Sequence, residues 1–111
     1  MYSLVVQGEL MMSTGLTEKI KKIQIDQETS NPLLPESFNR QNHNCSIEIN
    51  GNRLIVSISS KTDDCDLESR ILLKLTADIL LKAYSLDMDR CSSITQIKEI
   101  KLTACEKLDQ D

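Results

Sequence analysis

Aromatic rings are scarce in this sequence: Tyr2, Phe38 and Tyr84 are the only three, and tryptophan is absent. Single-stranded RNA is read largely by stacking its bases on such rings, so that reading starts weak. Positive charge is scarce too. Thirteen basic residues face 17 acidic ones for a net charge of −4, whereas nucleic-acid affinity rests on Lys and Arg neutralising phosphates. Alone, the chain is expected to bind RNA or DNA poorly, and a ferredoxin-like RNA module would need the missing rings and basic surface.

Metal-ligand spacing is also missing. Cys45, Cys65, Cys91 and Cys105 lie 20, 26 and 14 positions apart, and the single His43 completes no usual zinc set. No metal and no cofactor is therefore expected. With one histidine in a polar stretch and no cysteine beside it in sequence at a catalytic spacing, the chain offers no nucleophile with its base, and an enzyme is not expected. The first residues lack a basic region and a long enough apolar run for a signal peptide, which points to a reducing, cytoplasmic setting with buried free thiols. Asn44-Cys45-Ser46 fits a glycosylation sequon but means nothing without secretion. Charges interrupt every apolar stretch, so no membrane span is expected.

What is present suits a small folded domain. Apolar residues make up 40% of 111 residues, enough for one core, and the whole of 1–111 reads as a single α+β domain. Residues 2 to 12 alternate, with Leu4, Val6 and Leu10 on one face and Val5 and Gln7 on the other, a first strand that Gly8 is expected to bulge. Leu16, Ile20 and Ile23 recur at helical spacing, with Thr14 or Thr17 as cap, giving a helix near 15 to 24. Lys19, Lys21 and Lys22 lie on it and form the one local cluster of cations. From 26 to 44 the chain turns polar and loses all period, a long loop whose Leu33, Leu34 and Phe38 are free to dock on the domain or on a partner.

A hairpin follows, Cys45 to Asn50 and Arg53 to Ser60, with Ile47 and Ile49 on one face and Leu54, Val56 and Ile58 on another. Asn50-Gly51 is expected to form its type I′ turn. Asp63, Asp64 and Asp66 precede a long apolar helix and suit its N-terminus as caps; they lack the spacing and glycine of a calcium loop. Leu67, Ile71, Leu72, Leu75, Ile79, Ala83 and Leu86 form its sheet-facing side. Leu73, Ala77, Leu80, Leu81 and Tyr84 widen the apolar surface beyond the roughly 100° stripe that one sheet hides, leaving Arg70, Lys74, Asp78, Lys82 and Ser85 as a polar stripe. A second cover is required, from another subunit or from a terminal helix at 91 to 108, where Ser93-x-x-Gln96 has the form of a capping box ahead of Ile94, Ile97, Ile100, Ala104 and Leu108. The expected fold is thus a small antiparallel sheet in β-α-β-β-α order with helices on one face and an extra C-terminal helix.

The stretch Ile47-Glu48-Ile49-Asn50-Gly51-Asn52-Arg53-Leu54-Ile55-Val56-Ser57-Ile58, then Asp66-Leu67-Glu68-Ser69-Arg70 and the apolar helix, resembles the CTAG/Pcc family. This family is the small dimerising subunit of the KEOPS (EKC) complex. The likeness spans about residues 2 to 88, in topology more than in identity, and Lys74-Leu75 stand where the family commonly carries an Asn-Ser pair. It is similar to a divergent paralogue of the kind that, in some archaeal complexes, pairs with the ordinary subunit. The resemblance implies a non-catalytic assembly role: pairing with itself or a paralogue and docking on the threonylcarbamoyl transferase that modifies adenosine in tRNA. It makes Leu73, Ala77, Leu80, Leu81 and Tyr84 the expected interface. Lys19, Lys21, Lys22, Arg70 and Lys74 are the candidate contacts for a partner or for tRNA, which is met only through the complex. A generic homodimeric adaptor with another partner is the alternative.

Overall fold

The computed structural model describes residues 1–26, 33–39, 41–87 and 95–108, with side chains on the first helix described as far as Ile23. Six elements follow in order: β1 (Tyr2–Met11), α1 (Thr14–Asp26), β2 (His43–Asn50), β3 (Arg53–Thr62), α2 (Cys65–Ser85) and β4 (Gln96–Lys107). The strands form one sheet in the order β2-β3-β1-β4, every neighbour antiparallel. β1 therefore runs parallel to β2 with β3 between them, and β3 runs parallel to β4 with β1 between them. Two interleaved split β-α-β units of this kind make a ferredoxin-like α+β fold.

The alternation in β1 is kept. Leu4, Val6, Gly8 and Leu10 are buried and face the helices, while Val5, Gln7 and Glu9 lie on the open face. Gly8 does not bulge β1, which pairs with β3 in unbroken register. Its role is clearance: a Cβ there would stand 2.7 Å from both Leu80 Cδ1 and Thr76 Cγ2, and 3.3 Å from Ile100 Cγ1. In the hairpin, Asn50 pairs with Arg53, so the two turn residues are Gly51 and Asn52. Gly51 alone has positive φ, at 64°. One positive φ at the first central position is the pattern of a type II′ turn, not of the expected I′ turn at Asn50-Gly51. Ile47 pairs with Val56 and Ile49 with Leu54, so these residues share one apolar face of the sheet.

Both helices begin on side-chain caps. Ser13 caps α1, its Oγ accepting from Leu16 N–H at 3.1 Å, in place of the expected Thr14 or Thr17; the Thr17 hydroxyl instead donates to Ser13 O. Asp64 caps α2 by accepting from Leu67 N–H at 3.1 Å, as its carboxylate suggested. The core unites Leu4, Val6 and Leu10 of β1, Leu16 and Ile20 of α1, Leu54, Val56 and Ile58 of β3, and Leu72, Leu75, Ile79, Leu80 and Ala83 of α2. Leu33 is buried in it, with Leu34 and Phe38 packed against it, so this part of the long connection docks on the domain itself.

The largest departure is at the C-terminal end. Residues 96–107 form an edge strand beside β1, not a helix. Register shifts between Val5 and Val6 and between Glu9 and Leu10 leave Thr103 and Lys98 as extra residues in β4. Ile97, Ile100, Leu102 and Cys105 consequently pair with the helix-facing Leu10, Gly8, Val6 and Leu4. Their spacings of 3, 2 and 3 carry a bulged strand past any simple alternation test. The Thr103 hydroxyl donates to Val5 O at 3.1 Å, occupying a carbonyl beside one bulge. Ile94 and Ser93 of the expected helix lie outside the described residues.

Candidate association surface

The residues on α2 sort by position around the helix. Leu72, Leu75, Thr76, Ile79, Leu80 and Ala83 are buried against the sheet. Leu67 and Ile71, expected in the core, are 57% and 37% exposed, because the helix is rotated so that Leu80 takes a core position instead. Of the five expected interface residues, Leu80 is fully buried within its own chain, Leu73, Ala77 and Tyr84 are half-buried, and Leu81 is 53% exposed. On a 100° per residue wheel, Leu73, Ala77, Leu80 and Tyr84 share one flank. Leu80 and Ile100 both approach Gly8, so that flank leans over β1 towards β4. There Ile97 and Ile100 are half-buried and Leu102 is 42% exposed. The terminal segment extends the sheet beside this flank, and among the described residues Leu81 and Leu102 are the exposed apolar side chains there.

The opposite flank is polar and tied down. His43, expected in a loop, opens β2 and is 8% exposed. Its Nδ1 accepts from Asn39 N–H at 3.2 Å, which places the proton of the neutral ring on Nε2, donating to Glu68 Oε1 at 3.0 Å. Phe38 lies 5.6 Å from the ring. Both ring nitrogens are thus bonded within the chain, and His43 ties Asn39 to Glu68 of α2.

The candidate cations do not converge. Lys19 Nζ reaches Leu86 O at the C-terminal end of α2, whereas exposed Arg70 and Lys74 lie in its first half, with Lys74 about 18 Å away along the axis from residue 86. Lys21 and Lys22 are exposed on α1. The open face of the sheet carries none of the chain's three aromatics: Tyr2 shares the helix-facing parity, and Phe38 and Tyr84 lie off the sheet. It carries instead an ion pair between Arg53 and Glu9, which with Lys98 nearby holds the Glu9 carboxyl below its usual range. Glu99 faces Glu9 across the ladder, with Lys101 Nζ 3.7 Å from it. A hollow of about 450 Å³ on the same face is lined by Ser3, Asn44, Ser59 and Lys61 among others.

Two constellations gave no sequence signal. A buried knot joins Asp87, Ser13 and Thr95: the Ser13 hydroxyl donates to Asp87 Oδ1 at 3.2 Å, Ser13 N–H to Thr95 Oγ1 at 3.1 Å, and the Thr95 hydroxyl to Asp87 Oδ2. The second is the pair Cys65 and Cys105. Among the described residues no group of three His, Cys, Asp or Glu is placed to hold a metal, and no helix is long and apolar enough to cross a membrane. The chain matches no family model and no curated protein.

Proposed function

We propose that this protein is a non-catalytic assembly subunit that associates through the outer flank of α2 and the adjoining β4. The observation that carries this reading is the exposure, among the described residues, of Leu81 on α2 and Leu102 on β4, at 53% and 42%, beside half-buried Leu73 and Ala77. The terminal segment 96–107, as strand β4, extends the sheet instead of packing across α2 as a helix. Direct pairing of β4 edges is disfavoured by its two bulges and by Lys98, Lys101 and Lys107, the usual devices that protect an edge. Helix-mediated packing is the better fit.

In its specific form, the proposal follows the sequence resemblance: a cytoplasmic, KEOPS-like complex in which this chain pairs with itself or a paralogue and docks on the threonylcarbamoyl transferase. The test is co-purification under native conditions with a mass measurement of the isolated chain. A dimer that retains the transferase supports the specific form. A dimer that retains a different protein supports a general adaptor, and a monomer without partners removes both.

A further inference from the structure

Cys65 and Cys105 are 40 positions apart in sequence, yet their Sγ atoms stand 3.9 Å apart. Cys65 is the first residue of α2, and Cys105 lies near the end of β4, on its helix-facing side opposite Leu4. Cys65 is half-buried and Cys105 is exposed, so a small reagent meets Cys105 first. Disulfide sulfurs are about 2.05 Å apart, so closing the pair needs the sulfurs to approach by about 2 Å. Cys45, in contrast, faces Ile58 across the β2–β3 ladder, and burial pushes its thiol up to about 11.

We propose that Cys65 and Cys105 are a thiol pair that a low-molecular-weight disulfide, such as oxidised glutathione, converts into an intramolecular disulfide fastening edge strand β4 to the start of α2. The Cys105 thiolate attacks one sulfur of the small disulfide and expels one thiolate, leaving a mixed disulfide on Cys105. The Cys65 thiolate then attacks Cys105 Sγ and expels the second. The two cysteine protons end on the two released thiols, and the small disulfide takes up the two electrons. Burial, the contact with Cys105, and the charges of Asp66 and Asp64 all raise the Cys65 thiol.

The mechanical consequence is specific to this fold. β4 is an edge strand held in the sheet by β1 alone and interrupted by two bulges. A bond to α2 closes a loop that contains the whole of that helix and removes freedom from the unfolded chain.

The test treats the reduced full chain with oxidised glutathione, blocks remaining thiols and maps the peptides by mass spectrometry. A peptide linking Cys65 to Cys105 is expected, with the melting temperature of the oxidised chain raised by about 5 °C or more. In Cys65→Ser, which lacks the resolving thiol, glutathione should persist on Cys105 and the melting temperature should not rise. A link to Cys91 or Cys45, disulfide-joined dimers, or a lasting glutathione adduct on the wild-type chain would overturn the proposal. So would a linked chain that melts no higher than the reduced one.

Discussion

Gly8 sits where three side chains from two elements converge, and the contacts of its missing Cβ set the cost of adding one. At 2.7 Å from Leu80 Cδ1 and Thr76 Cγ2, a methyl group must push both tips aside, and buried Leu80 has little room to yield. Gly8→Ala should therefore lose about 1–3 kcal/mol of stability in a denaturant titration, the range for overpacked cores. Glu9, one residue along on the open face, answers to pH. Its hydrogen bond with Arg53 is the main cause that lowers its pKa, opposed by burial and aided by the charges of Arg53 and Lys98. A depressed carboxyl stabilises the fold fully above its ordinary value of 4.5 and loses that contribution as pH falls through the folded value. Melting temperatures measured from neutral pH to well below 4.5 should fall less steeply in Glu9→Gln than in the wild type. Neither effect is visible in sequence, since both depend on which residue faces which across β1.

At the scale of elements, local signals and tertiary ones separate cleanly. β1, α1, the hairpin and α2 were legible because their apolar periods and caps are written within each segment, and Asp64 caps α2 as its position suggested. Asp64→Ala should cost roughly 1 kcal/mol, read from the shift in the denaturation midpoint. β4 is not legible because Ile97, Ile100 and Ala104 happen to fall at helical spacing, while its two bulges put Ile97, Ile100, Leu102 and Cys105 on one face of the strand, where simple alternation would not. The rotation of α2 that trades Leu67 and Ile71 for Leu80 was likewise hidden, since a helix apolar over most of its girth does not declare which stripe meets the sheet. The Asp87 knot was illegible for another reason: it joins the start of α1, the end of α2 and the approach to β4, three places remote in sequence. Asp87→Ala leaves two hydroxyls short of an acceptor and should destabilise the chain by about 1–3 kcal/mol in the same assay.

The whole molecule divides its apolar surface between two uses, and one pair of variants distinguishes them. The ferredoxin-like arrangement stacks the inner stripe of α2 on β1 and β3, which takes Leu80 fully out of solvent, while neighbouring Leu81 stays 53% exposed. Leu80→Glu places a charge among packed Leu and Ile side chains with no partner, so it should unfold the chain whatever its association state. Leu81→Glu combined with Leu102→Glu touches only surface in the isolated subunit, and its circular dichroism and melting should stay close to the wild type. If the flank of α2 beside β4 is the interface of the proposed assembly, those two carboxylates become buried and uncompensated on association. The dissociation constant should then rise at least about 100-fold, a loss of some 3 kcal/mol, and sedimentation at micromolar concentration should show the mass of one chain. A double variant that is folded and keeps the mass of the wild-type assembly would place the contact elsewhere, and the assembly reading would lose the surface on which it stands.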